Sequence, residues 1–378
     1  MFIVNFSNQI AAGPKNISKN FLLQAITYND IEKYIFFLPD LDDYKAIVDS
    51  SENLKKRVIF ISTGGSIFKK IIRTLYVNFL LPLKICAKEE IKGFLSFGNF
   101  LLYPGSTGHK IVLLHHPYLV DDKLYNQLNG MARLAEFLKR MAFKLTVKNV
   151  SRVIVQSDYM SSEFKRKYSS AYSKAHTISN PLSSVFEECR SNNGGKAKQP
   201  PSKNFLLKVV YVSRFYPHKN HNFLLALSRE LKRRHVDVEF TVTVNPQLPK
   251  ASEFIDAIKA ENLSIVNVGE VTQHQLIDLY MSSHIAIFPS LTETFGNPLI
   301  EAMCFSLPVL AADLPYAKDI LGESGVFYNG TVEDCTEKLL YLLDSEKYAA
   351  IAKLSFKKSL SFPSAKEWYE SYREQLEK

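Results

Sequence analysis

The chain has 378 residues, 46% of them hydrophobic, with 47 basic and 38 acidic side chains and a net charge of +9. That length sets an expectation of about two to three domains, and a charged fraction of 22% excludes an intrinsically disordered chain. The excess charge is confined to one half: up to Leu182 there are 25 basic and 14 acidic residues, and beyond it 22 and 24. A basic half, open to nucleic acid, a membrane surface or phosphorylated substrates, therefore precedes a near-neutral one.

Met1–Asn8 reads as a strand, with no basic n-region or apolar h-region of a signal peptide. No stretch of about 18 uncharged apolar residues marks a transmembrane helix, so the expected location is cytoplasmic. In the first half, strands are expected at Phe2–Phe6, Tyr34–Leu38, Arg57–Ser62, Gly93–Phe97, Lys110–His115 and Arg152–Gln156. In the second they are expected at Leu206–Val212, Glu239–Val244, Ile265–Val268, Ile285–Phe288 and Val309–Ala311. Many are apolar throughout, as parallel strands covered on both faces are. Helical patterns intervene at Asn20–Thr27, Met131–Thr146, Asn222–Arg234 and Gln273–Met281, which makes βαβ units. The four cysteines are far apart and form no C-x-x-C, so reduced, incidental thiols are expected.

The run EECRSNNGGKAKQPPSKN at Glu187–Asn204 breaks the pattern with little to bury. The expected division is a first Rossmann-like domain over 1–182, a linker or inserted loop over 183–204, a second Rossmann-like domain over 205–360 and a terminal helix over 361–378. Asp40–Asp43 and Asp121-Asp122 read as surface loop charges, and no D-x-D metal motif stands at a strand end.

The most informative segment is FPSLTETFGNPLIEAMCFSLP at Phe288–Pro308. A strand ends near Pro289, and Pro298 suits the first turn of a helix. Asn297 is the expected N-cap. Phe295, Gly296 and Asn297 then present backbone N–H groups at a helix N-terminus, an anion site suited to a diphosphate. Glu293 in the loop and Glu301 on the helix are spaced E-x7-E, and carboxylates accept paired O–H bonds from a diol. In KVVYVSRFYPHKNHNFLLAL at Lys208–Leu227 a strand ends at Ser213, and Arg214 and Lys219 follow. Ligands of open α/β sheets bind outside the carboxyl ends of the strands, where both cations would neutralise a diphosphate.

Together SRFYPHKN, VGEVTQHQL, FPSLTETFGNPLIEAM and AADLPYAKDILGESGVFY, in this order, resemble the retaining glycosyltransferases of family 4. The resemblance is strong from Phe205 to Tyr328 and continuous but weaker from Met1 to Val185. It implies the GT-B fold: two Rossmann-like domains facing across a cleft, with C-terminal helices crossing back to the first. It implies transfer of a hexose-type sugar, with retention, from a UDP- or GDP-linked donor to a saccharide or lipid-linked saccharide, in bacterial surface polysaccharide or lipopolysaccharide synthesis. No metal or other cofactor is implied. Glu293 would meet the donor sugar, Glu301 the ribose, and Arg214 and Lys219 the diphosphate. Backbone of Phe295, Gly296, Asn297, Pro298 and Leu299 would contact sugar and phosphates, and Val268 the nucleobase. In the first domain Gly13 resembles the glycine beside the diphosphate. His115 or His116 resembles the histidine of the sugar site, with His116 the preferred of the two. Other GT-B chemistry, such as a nucleotide-sugar 2-epimerase, is the nearest alternative. A basic nucleic-acid-binding protein is an alternative of another class, but no fingerprint of one is present.

Ile67–Leu81 (IFKKIIRTLYVNFLL) places Phe68, Ile71, Ile72, Leu75 and Phe79 on one helical face and Lys69, Lys70 and Arg73 opposite. Such a helix suits an anionic membrane or a sheet face with its cations in water. Peripheral seating on the inner membrane face is expected. A second basic cluster, Lys139, Arg140, Lys144 and Lys148, falls on a later helix.

Overall fold

A computed structural model describes residues 1–10, 12–105, 108–193 and 206–378. The chain forms two α/β units, Met1–Pro181 with Pro363–Lys378, and Leu182–Phe362. The first is built on β1 (Phe2–Asn5), β2 (Tyr34–Pro39), β3 (Val58–Ile61), β4 (Gly93–Ser96), β5 (His109–Leu114), β6 (Arg152–Val155) and β7 (Ala175–Thr177). The second is built on β8 (Leu207–Tyr211), β9 (Val238–Val242), β10 (Ile265–Asn267), β11 (Ile285–Phe288), β12 (Val309–Ala312) and β13 (Gly325–Tyr328).

The sheets run 3-2-1-4-5-6-7 and 10-9-8-11-12-13, and every pairing is parallel. Each is the doubly wound order of a Rossmann-like domain, with its switch point between β1 and β4 or between β8 and β11. Because helices cover both faces, the strands are apolar throughout: Ile285–Phe288 and Val309–Ala312 are buried residue by residue.

One face of the first sheet is closed by the helix Ala12–Thr27 and by the last helix, Ala365–Glu377. Trp368, Tyr369 and Tyr372 enter a cluster of rings with Phe6, Phe21 and Phe97. The Phe21–Tyr369 and Trp368–Tyr372 centroids lie 4.9 Å apart. Polar contacts fix the same helix: Tyr369 donates to Asp30 at 3.1 Å, and Arg373 pairs with that carboxylate at 3.1 Å. The preceding helix, Ser345–Ser359, packs on the second unit.

The segment expected as a linker over 183–204 begins instead with a helix, Ser184–Asn193. It forms because Phe186 can be buried against the rings of Tyr280 and Phe305, at 6.1 and 6.0 Å. Arg190 adds a bond to the Ser359 carbonyl at 2.8 Å. Residues 194–205 lie outside the described residues. Asp121 also departs from its expected place. It is buried and caps Asp122–Asn126, accepting from the Lys123 and Leu124 amides at 2.8 and 3.1 Å.

Trp368→Ala is expected to destabilise the first unit by about 3–5 kcal/mol, read as a lowered midpoint in urea unfolding. Leu23→Ala, on an exposed side chain, is expected to change it by no more than about 0.5 kcal/mol.

Candidate functional site

Two loops leave the second sheet side by side at its switch point. After β8 the chain runs through Val212–Tyr216 into the short helix Pro217–Lys219 and then Asn222–Arg233. After β11 it runs through Pro289–Phe295 into Asn297–Cys304. Because β8 and β11 are hydrogen-bonded neighbours, the loops meet and are laced together. Leu291 N–H donates to the His218 carbonyl at 2.7 Å. The buried Tyr211 hydroxyl donates to the Lys219 carbonyl at 2.7 Å and lies 3.1 Å from Ser290 Oγ. Lys219 Nζ forms an ion pair with Glu293 Oε1, both side chains being mostly shielded from water. The structure thus joins two residues 74 positions apart that the sequence placed in separate motifs.

Arg214 stands at the edge of this corner, 4.0 Å from the exposed Glu270 carboxylate, with its guanidinium 5.7 Å from the Tyr216 ring. Beneath the loop, His221 is buried between Tyr211 and Phe215, both at 4.9 Å. Burial pushes its imidazole down to about 3, so it is neutral at physiological pH. Its packing with Phe254 gives the Arg214–Lys219 loop a firm floor.

The helix Asn297–Cys304 is capped differently from expectation. Gly296, not Asn297, is the N-cap, in the left-handed region at φ 92°. A Cβ there would stand 3.1 Å from Leu299 Cδ1, and the conformation itself disfavours any side chain. Asn297 and Pro298 occupy the first turn. The Leu299 amide is taken by the Gly296 carbonyl at 2.9 Å, whereas those of Phe295 and Gly296 donate to no group among the described residues. The Phe295 ring is buried edge-on against Phe362, 5.8 Å away. These features leave a rigid helix N-terminus offering backbone donors beside Lys219 and Glu293.

Glu301, one turn into the helix, accepts from the Tyr280 hydroxyl at 3.1 Å. Burial pushes its carboxyl up to about 7, against the pull of that hydrogen bond. Burial and the nearby carboxylate hold the Tyr280 hydroxyl well above its usual range, so it remains a donor. Val268 follows β10 with its side chain exposed, and its amide donates to the Val242 carbonyl at 3.0 Å. Gly269 next to it has φ 74°. All the expected residues of the second unit thus lie at the carboxyl ends of β8, β10 and β11. Tyr211, His221 and Tyr280 were not singled out in the sequence, since an aromatic ring or a histidine in an apolar run carries no signal separable from core packing.

In the first unit, Gly13 lies in the first turn of Ala12–Thr27, after β1, with open space around it. His115 and His116 follow β5. The His115 amide donates to Asn99 Oδ1 at 2.8 Å, and its Nε2 lies 3.2 Å from Asn99 Nδ2. Its Nδ1 is sealed from solvent, and burial pushes the ring down to about 4. His116 is more open, with Nε2 2.8 Å from Glu136. Burial opposes the charge on Glu136, but the bonds from His116 and Lys139 prevail and hold its carboxyl at about 2.

The basic clusters are only partly free. Lys69 and Lys70 are exposed, but Arg73 donates to the Ser62 and Gly64 carbonyls at 2.6 and 3.1 Å. Arg140 is largely buried and pairs with Asp122 at 2.6 Å. No helix among the described residues is long and apolar enough to cross a membrane.

Residues 196–357 match the family model Glycosyl transferases group 1, so the second unit carries a domain of that group. The phosphatidylinositol N-acetylglucosaminyltransferase GPI3 subunit of Saccharomyces cerevisiae is 23% identical over 300 residues, 76% of this chain. The chain spans only 63% of that relative's length. The O-antigen chain mannosyltransferase RfbU of Salmonella typhimurium is 23% identical over 79% of this chain and 81% of its own length. The fold is GT-B, as in Anabaena Alr3699/HepE, solved with UDP and glucose. That structure superposes with a TM-score of 0.69 at 16% identity, covering 100% of this chain and 99% of the other. Sucrose-phosphate synthase from Thermosynechococcus elongatus superposes with a TM-score of 0.71 at 16% identity, covering 99% of this chain and 97% of its own.

Because the folded-state pKa of Glu301 is raised from 4.5 to about 7, the native state holds an extra proton across that window. Its contribution to stability therefore falls as pH rises from about 4.5 to about 7. The difference in melting temperature between wild type and Glu301→Gln is expected to drift in the destabilising direction for wild type over this range. A pH-independent difference contradicts the assignment.

Proposed function

We propose that the protein is a retaining glycosyltransferase moving a hexose from a UDP- or GDP-linked donor to a saccharide or lipid-linked saccharide acceptor, in bacterial surface polysaccharide or lipopolysaccharide synthesis. The observation that carries this reading is the laced corner at the switch point. It combines a cation (Lys219), a carboxylate (Glu293) and a helix N-terminus with free amides, the complement of a sugar joined to a diphosphate. The group 1 domain and the O-antigen mannosyltransferase relative support it.

In this reading the amides of Phe295 and Gly296, with Lys219 and Arg214, receive the diphosphate. Glu293, set in place by Lys219, accepts hydroxyls of the sugar. Ionised Glu301 accepts the ribose diol, and Val268 offers its exposed side chain to the base. As the bond from the sugar's anomeric carbon to the diphosphate oxygen breaks, its electron pair stays on that oxygen, where both cations and the helix terminus stabilise the charge. The acceptor hydroxyl attacks from the face the diphosphate leaves, and a donor phosphate oxygen takes its proton. Configuration is thereby retained. His116, oriented by Glu136, is the sugar-site histidine in this account because its ring is the more open of the pair. Gly13 leaves room for the phosphates. No metal is assigned a role, so turnover in EDTA is expected to match that in buffer.

The test is release of UDP or GDP from a panel of UDP- and GDP-sugars, with the anomeric configuration of the product read by NMR. Alanine at Lys219, Glu293, Arg214 or Glu301 is expected to cut turnover by about an order of magnitude or more, and turnover is expected to fall as pH drops below about 7 and Glu301 takes up its proton. Wild-type rates in all four variants, or an inverted product, contradict the proposal.

A further inference from the structure

The apolar stripe of the helix Ile67–Leu75 does not cover the sheet. On Ile67–Leu75 and the wider turn that follows, Tyr76–Leu80, the side chains of Phe68, Ile71, Ile72, Leu75, Phe79 and Leu80 are exposed, Phe68 by 68%. The sheet contact is made instead by Val77 and Leu81. The long helix Gly130–Asn149 behaves in the same way. Met131, Leu134, Phe137, Leu138, Met141 and Leu145 follow the spacing of one helical face, yet all are exposed, Met131 by 78%. Only Phe143, Thr146 and Val147 of this helix are buried.

These two stripes belong to one layer. Val77 and Leu81 from the first segment and Phe143 and Val147 from the second enter the same apolar cluster on one face of the first sheet, with Ile3, Phe94 and Val112. Both segments therefore lie on the same side of that sheet. Side chains on the far side of such a layer face solvent, and here twelve large apolar ones do. Isolated apolar side chains on a surface are ordinary; two helical stripes in one layer mark an interaction face.

Charge selects the occupant. From Ile67 to Lys88 there are five basic residues and no acidic one. From Gly130 to Asn149 there are five basic residues and one acid, Glu136, which is occupied by His116 and Lys139. With Arg73 and Arg140 engaged in the fold, Lys69, Lys70, Lys84, Lys144 and Lys148 are among the cations left exposed. Two copies of such a face would repel each other, whereas an anionic lipid surface supplies acyl chains for Phe, Leu and Met and phosphates for the lysines.

We infer that the two segments 67–85 and 130–148 form a single platform that seats the first unit on an anionic bilayer. The use made of that seating, delivery of a lipid-linked acceptor, rests on the transferase reading; the binding itself does not. The full chain is sedimented with vesicles of phosphatidylglycerol and of phosphatidylcholine, without donor. Capture by phosphatidylglycerol alone, weakened by salt, is expected. Leu134→Ser combined with Leu138→Ser and Met141→Ser, and separately Lys69→Glu with Lys70→Glu, are each expected to reduce capture by at least about tenfold. Neither variant should change the melting temperature, since the side chains are exposed. Absence of capture, or capture unchanged in both variants, overturns the inference. So does a dimer in sedimentation velocity that the triple serine variant dissolves, which would assign the face to a second copy. Nucleotide release from the donor panel, measured on the same preparations without vesicles, separates the two claims. If release is absent while capture stands, the transferase reading alone fails.

Discussion

The ion pair between Lys219 and Glu293 is the constraint on which the site depends. Glu293 sits on a loop with no regular structure and Lys219 ends a single short turn of helix, and the two segments leave different strands. Both side chains are mostly shielded from water, so neither charge is readily left alone, because an unpaired shielded charge costs several kcal/mol. The pair therefore fixes the loops against each other. The bridges from Tyr211 to Lys219 and Ser290, and from Leu291 to His218, hold the same loops together without using the charges.

The position of the pair follows from topology. In a sheet ordered 10-9-8-11-12-13, the winding of the chain reverses between β8 and β11, so the loops at their carboxyl ends stand side by side at the switch point. To this point the chain brings a short polar segment from one side and a helix N-terminus from the other. Gly296 turns the backbone so that the amides preceding the helix remain unspent. Burial of Glu301 behind Tyr280 then adds a carboxyl that titrates near neutrality, so the corner's charge depends on pH in the physiological range.

Much of this was legible in the sequence, for physical reasons. Fully apolar runs such as Ile285–Phe288 mark strands covered on both faces, and the loops after them hold the polar residues that cannot be core. Two strands escaped notice, β7 (Ala175–Thr177) and β13 (Gly325–Tyr328), and each lies at the edge of its sheet. Edge strands need neither length nor continuous apolar character. The helix Ser184–Asn193 was hidden because its sequence is polar and its place rests on Phe186 alone among its large apolar side chains. The E-x7-E spacing disclosed the carboxylates, but not that Glu293 is held by Lys219, since pairing across 74 residues is a property of the sheet order. The apolar stripes of the first unit were visible only in part. Periodicity shows that a helix is amphipathic, and only the fold shows that its apolar face is turned away from the core.

The central claim is that this corner binds a nucleoside diphosphate joined to a sugar. It is tested most directly by the melting temperature of the full chain in UDP, GDP and their hexose conjugates. At a ligand concentration a hundredfold above Kd, stabilisation of about 2.7 kcal/mol is expected. The account predicts a clear upward shift with one nucleotide series in wild type and its loss in Lys219→Ala. No shift with any of these ligands, or an equal shift in Lys219→Ala, would contradict it.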